Sequence, residues 1–350
     1  MVRFAIGLPS SISMQRTIEY AKTADKNYYS FLWLRGGYFS PGSRDSFAML
    51  TAIASNTEEI CVGLWGSDPQ LLHPSLLANY TASLSEVSNG RAVGAVGGED
   101  LNGSGKIGAQ IRVPEIALKE SFNIVRRLLD GEMVDLEGEI FKAKSTKLFG
   151  KPQLTGCHGP NTVPVYVKCD SKESIRWAAE NASGILVSVP IRYFQIVMEE
   201  IKSAADRAGR SLDGFDVANW LPWSVSMDIK EAREFVKPQV AEAVAAASTE
   251  VLGDAGITRE EVESIRKELI EDPIKAKELV TESMIDDFSI SGPYWECNKK
   301  VKELVKIGGW PDVRGRSQIV VGYPYGPGGA EAIKTIGNET VIIFKEPYDC

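Results

Sequence analysis

The chain has 350 residues, 39 basic and 47 acidic, for a formal charge of −8. Its 43% hydrophobic and 25% charged residues exclude disordered, collagen-like and coiled-coil classes, and a chain of this size buries about three-quarters of its unfolded surface. No apolar run approaches the ~18 residues of a membrane helix, and an acidic balance without a basic block argues against a nucleic-acid partner.

The opening MVRFAIGLPSS lacks the apolar core of a signal peptide and reads as a strand, so a cytoplasmic protein is expected. Phe4–Gly7 precedes a helical stretch over Met14–Ala24, and Phe31–Leu34 precedes Asp45–Asn56. Cys61–Leu64 leads into Pro74–Val87, where Leu76, Leu77, Tyr80, Leu84 and Val87 share one helical face and Pro74 suits the first turn. Arg91–Gly97 leads into Val113–Leu129, and a polar hairpin-like segment, Val134–Phe141, interrupts the rhythm. It resumes with Val165–Lys168 and a helix over Lys172–Glu180, then Gly184–Val189 and a helix over Tyr193–Ala208. Phe215–Val225 is the seventh strand. Ser317–Gly322 is the eighth, followed by a helix over Ala330–Ile336.

Eight β-runs, each with a helical partner, predict a (β/α)₈ TIM barrel. A dinucleotide-binding sheet would need G-x-G-x-x-G after an early strand, and Gly94-Ala-Val-Gly97-Gly98 has the wrong spacing. The charged, Ala-rich stretch from about 235 to 284 reads as helices inserted between strands seven and eight of a single domain spanning 1–350, since fifty charged residues make a poor core of their own.

The five cysteines, Cys61, Cys157, Cys169, Cys297 and Cys350, form no C-x-x-C pair and read as free thiols. With two histidines, His73 and His158, and no Cys/His cluster, no bound metal is expected. Neither a G-x-S-x-G elbow nor a phosphate-binding G-x-x-x-x-G-K-[ST] loop occurs. In a barrel the site lies at the C-terminal strand ends. Here those ends carry Gly7, Gly36-Gly37, Gly66, Gly97-Gly98, Gly322 and Gly326, a concentration that favours backbone approach by a flat ligand.

The stretch Gly63-Leu-Trp-Gly-Ser-Asp-Pro-Gln-Leu-Leu-His-Pro74, continuing through Leu84-Ser-Glu-Val-Ser-Asn-Gly-Arg91 to Gly97-Gly98-Glu99, resembles the bacterial-luciferase-like superfamily. Glu120–Gly138, Val163-Pro-Val-Tyr-Val with Ala178–Leu186, and Gly322-Tyr-Pro-Tyr-Gly-Pro327 extend the resemblance, the last being most similar to methylenetetrahydromethanopterin reductases that use coenzyme F420, a deazaflavin. The resemblance implies a barrel with a deazaflavin over its strand ends, backed by a cis peptide at Trp65–Gly66. Leu64, Trp65, Gly66, Ser67, Gly97 and Gly98 would border the ring. Cys169, Asp170, Ser171 and Val189 would complete the cofactor site, with Ser171 and the amides after it holding a phosphate.

It also implies hydride transfer to or from a small substrate. The alternatives are an FMN-dependent luciferase-like monooxygenase and a catalytically silent ligand-binding paralogue. A homodimer is expected. Three family positions differ: Gly7 stands for an acid after strand one, Gly36-Gly37 for Asp-His after strand two, and Leu72 for the arginine before His-Pro. Asp68 is therefore the first candidate proton donor, followed by Glu99 and Asp100, while His73 at a helix start reads as structural.

Overall fold

Residues 2–36, 42–69, 71–98, 114–148, 162–308 and 316–344 are described by a computed structural model. The strands are β1 (Val2–Pro9), β2 (Phe31–Arg35), β3 (Cys61–Leu64), β4 (Ala92–Val96), the hairpin β5 (Val134–Glu137) and β6 (Lys142–Thr146), β7 (Val165–Lys168), β8 (Gly184–Val187), β9 (Asp216–Val225), β10 (Ile290–Gly292) and β11 (Arg316–Tyr325). The helices are α1 (Met14–Asp25), α2 (Ser46–Ala54), α3 (Pro74–Val87), α4 (Pro114–Leu129), α5 (Lys172–Asn181) and α6 (Ile191–Ala208). They continue as α7 (Ile229–Ala246), α8 (Thr249–Asp254), α9 (Arg259–Glu271), α10 (Pro273–Glu278), α11 (Glu282–Phe288), α12 (Tyr294–Gly308) and α13 (Ala330–Ile336).

Eight parallel strands close in the order β1-β2-β3-β4-β7-β8-β9-β11, with β11 paired back to β1 and β8 to β9. The barrel is a TIM barrel. Each of these strands is almost wholly buried because one face meets the helices and the other the interior, so its sequence reads as an apolar run rather than as alternation. The outward side chains Ile6, Leu8, Val62, Leu64, Val167 and Ile185 join the layer beneath the helices.

The hairpin β5–β6 is held from outside. Glu120 on α4 accepts hydrogen bonds from the amides of Glu139, Ile140 and Phe141 at 2.7, 3.1 and 2.8 Å. A Cβ on Gly138 would lie 2.5 Å from that carboxylate, which explains the glycine.

Two elements escape the sequence pattern. Strand β10 adds to β9 beyond the ring, and α12 follows it. Three residues are too few for a period-two signal, and Gly292-Pro293 hides the start of the helix. Helices α7 to α11 occupy the chain between β9 and β10. Among the described residues no helix is long and apolar enough to cross a membrane.

Cys61, at the N-terminal end of β3, is disulfide-bonded, its partner lying outside the described residues. That corrects the free-thiol expectation at this position; spacing alone does not say which cysteines a fold brings together. Cys169 and Cys297 are free and buried.

Candidate active site

Side chains two apart along a strand share a face. In the lower barrel, Arg3, Tyr166 and Gln318 all donate to Asp216, Tyr166 at 2.6 Å and Gln318 at 2.5 Å. Trp33 Nε1 donates to the Gln318 side-chain oxygen at 2.8 Å, and the Arg3 guanidinium lies 4.5 Å from the centre of the Phe31 ring. Above this polar floor, Trp33, Trp65 and Trp220 fill the interior. The Trp65 ring centre is 5.9 Å from that of Trp33 and 5.0 Å from that of Trp220.

Those indoles account for several strand-end glycines. A Cβ on Gly7 would lie 2.5 Å from the Trp220 ring, one on Gly322 2.3 Å from its Nε1, and one on Gly63 2.7 Å from Trp33. Gly66 and Gly97 have φ of +94° and +129°. Their Cβ atoms would meet the Gly97 carbonyl at 2.6 Å and the Lys168 carbonyl at 2.8 Å. At these positions the glycines make room for neighbouring protein atoms. The expected cis peptide at Trp65–Gly66 is absent. Gly66 turns the chain through its positive φ, and the one cis bond among the described residues is Tyr323–Pro324.

Polar atoms nevertheless converge on the mouth. Trp65 Nε1 and Ser67 Oγ at the end of β3, and Ser224 Oγ at the end of β9, are buried without a hydrogen-bond partner. Buried polar groups are nearly always satisfied, so three such atoms at one end of a barrel are what a bound ligand would engage. Asp68 is buried beside Gly98, whose Cβ would lie 3.1 Å from Asp68 Oδ2, and its carbonyl accepts from the amides of Leu71 and Leu72. Lys168 points inward below Gly66 and bonds Asp170 at 2.5 Å.

Ser171 caps α5 in a reciprocal pair with Ser174, at 3.1 and 3.2 Å, so its hydroxyl is committed to the helix start. The next two amides, of Lys172 and Glu173, have no partner among the described residues. Leu64, Cys169 and Val189 turn their side chains into the outer apolar layer, away from the mouth. Strand alternation causes this, and it leaves them only a backbone role. Burial pushes the Cys169 thiol well above the usual range, and both backbone polar groups of Val189 are bonded to Asn219. Glu99 and Asp100 lie outside the described residues.

With this geometry in place, residues 2–309 match the luciferase-like monooxygenase family. The chain belongs to that family. It is 29% identical over 350 residues to a 5,10-methylenetetrahydromethanopterin reductase of Archaeoglobus fulgidus, covering 98% of this chain and 100% of the relative. It is 26% identical over 212 residues to an F420-dependent glucose-6-phosphate dehydrogenase of Nakamurella multipartita, covering 58% of this chain and 59% of the relative. The solved coenzyme F420-dependent tetrahydromethanopterin reductase of Methanopyrus kandleri superposes with a TM-score of 0.83 at 28% identity, covering 98% of this chain and 99% of that one.

In this luciferase-like chain the motifs that betray the family are largely architectural. Arg91 is buried and donates to the carbonyls of Ala54, Thr57, Ile60 and Ser88 at 2.6–2.9 Å, tying the end of α2 to the start of β3. His73 caps α3 by accepting from Ser75 N, and its other ring nitrogen meets the Lys142 carbonyl at 3.2 Å. Tyr325 donates to the Gly7 carbonyl at 2.6 Å.

One group escaped sequence reasoning. Helix α7 packs over β9, β10 and β11, and burial raises the carboxyl of Glu242 near its C-terminal end above the ordinary glutamate range, with the charge of Arg35, the last residue of β2, pulling the other way. Arg35 shares its strand face with Phe31 and Trp33 and so belongs to the mouth. Eight residues beyond Glu242, Glu250 on α8 accepts from Tyr193 at 2.9 Å and lies 3.3 Å from Lys172 Nζ, at the starts of the helices that follow β8 and β7. These contacts tie the insertion to the rim above β7 and β8. Nothing in its Ala- and Glu-rich sequence distinguishes it from a solvated surface helix.

Proposed function

We propose that the chain is an oxidoreductase dependent on coenzyme F420, transferring a hydride to or from a small substrate of the methylenetetrahydromethanopterin type. The end-to-end likeness to a reductase of that name carries this reading, and the unsatisfied polar atoms at the barrel mouth support it. Bound there, a deazaflavin would supply a two-electron hydride donor or acceptor. The chain's own part is to bind, orient and exclude water. Trp65 Nε1 and Ser67 Oγ would donate to the ring's polar edge, and the amides of Lys172 and Glu173 with the Lys172 ammonium would hold a phosphate. Because Gly7 is packed against Trp220, no acid reaches the mouth from β1.

Co-purification from the native host tests the reading through the visible spectrum and mass of the retained cofactor. A deazaflavin is expected. FMN instead would move the assignment to the luciferase-like monooxygenases, and a clean protein that binds neither would make the chain a silent paralogue. A cytoplasmic homodimer belongs to the same proposal, and light scattering showing a monomer across micromolar concentrations would reject the dimer.

A further inference from the structure

We infer that Lys168, the last inward-facing residue of β7, is the cation that receives the negatively charged edge of the ring bound at this mouth, and that Asp170 is the counter-ion the ring displaces. The inference rests on the F420 reading above and names the charge that the site selects.

Strand alternation sets the direction of the side chain. Val167 and Cys169 join the outer apolar layer and Tyr166 the barrel interior, so Lys168 enters the interior one tier above Tyr166, whose hydroxyl bonds Asp216. Its stem is closely seated. An ideal Cβ on Gly66 would lie 3.3 Å from both the Cβ and the Cδ of Lys168, and one on Gly97 would lie 2.9 Å from its Cβ. Glycine at both turns leaves the room that this stem uses. The Lys168 side chain is 7% exposed, whereas that of Asp170, 2.5 Å from its ammonium, is 68% exposed. Of the two charges, the carboxylate is the one that can turn to water, and the ammonium is the one held by protein. An ion pair with one partner so exposed contributes little to folding, so stability alone does not account for a lysine in this place.

The neighbours of Lys168 give the class of ligand. Gly66, against which its stem lies, stands between Trp65 and Ser67, whose Nε1 and Oγ are buried without a hydrogen-bond partner. An indole N–H and an ammonium can only donate, and a hydroxyl can donate as well. Such a set is complemented by an acceptor-rich edge carrying negative charge, not by a cation or a hydrocarbon face. Asp68, the carboxylate that follows β3, is turned against Gly98. Hydride uptake leaves a flat ring with added negative charge, and a fixed cation beside it favours that form.

Equilibrium binding of coenzyme F420 to the full chain and its variants tests the inference, with melting curves to show that each variant is folded. Lys168→Met keeps an unbranched stem and removes the charge. Affinity should fall roughly 10–100-fold, the worth of a charged hydrogen bond, and Lys168→Arg should restore part of it. Asp170→Asn releases the ammonium and should tighten binding about two- to tenfold. That gain should vanish in the double variant with Lys168→Met, because it acts through the lysine. A purely structural pair would instead weaken binding in both single variants. Affinity of Lys168→Met within about threefold of wild type overturns the proposal, as does an Asp170→Asn gain that survives in the double variant. The second result would mean that Asp170 acts directly on a phosphate at the start of α5. Should Lys168→Met fail to fold, Asp170→Asn at its exposed position still decides, since unchanged or weaker binding there is enough to reject the role. If the wild-type chain takes FMN and not F420, the reductase reading fails, and the same variants titrated with FMN decide the role of Lys168. A chain that binds neither removes both.

Discussion

At the scale of single residues, Trp220 decides what the upper barrel can hold. Its indole occupies the space that side chains at positions 7 and 322 would use, with ideal Cβ contacts of 2.5 and 2.3 Å. Both approaches involve a ring locked against Trp65 at 5.0 Å, so there is little freedom to yield. Gly7→Ala should therefore destabilise the protein by about 1–3 kcal/mol through overpacking. In combination with Trp220→Ala the effects should be strongly non-additive, because the second change removes the obstacle. Thermal unfolding of the two single variants and the double variant checks this, and simple additivity would show that the glycine serves some other purpose. The same packing explains why a side chain at position 7 is incompatible with this barrel.

At the scale of elements, the hairpin β5–β6 is an addition to the barrel in which Glu120 is the main side-chain clasp, beside the contact of His73 with the Lys142 carbonyl. Glu120 takes three consecutive amides, and among the described residues no strand outside the hairpin pairs with it. Glu120→Ala should leave those amides to water and loosen the hairpin, at about 1–3 kcal/mol. Amide exchange of Glu139, Ile140 and Phe141 should accelerate while the barrel strands remain protected. Unchanged protection of these three amides would deny Glu120 its role. The inserted helices behave differently. Arg233 of α7 bonds Glu282 and Asp286 of α11 at 2.6 and 2.8 Å, so the insertion is braced internally as well as on β9 and β10.

At the scale of the whole molecule, the ring is cross-linked through its interior by the network on Asp216, which gathers β1, β7, β9 and β11. Removing one member of a buried ion pair leaves the other charge uncompensated, so Asp216→Ala should destabilise the barrel by about 3–5 kcal/mol. Because the network joins strands far apart in sequence, the loss should appear in one cooperative unfolding transition rather than as local fraying. A urea midpoint close to that of wild type would show that the network contributes little.

The barrel was legible because its signal is repetitive: apolar runs such as Phe31–Leu34 and Val165–Lys168, each followed by a helical stripe, leave few other ways to bury both faces of every strand. A local helix start was legible too, since Pro74 acts within its own first turn. Roles that depend on what meets what across the chain were not. Strand-end glycines look alike in sequence whether they open onto a ligand or accept an indole, and Gly7 acquires its meaning only from Trp220, 213 residues later. Glu242 sits in a stretch whose composition matches any solvated helix. Its electrostatic link to Arg35 spans 207 residues of chain, a long-range relation that no local pattern encodes.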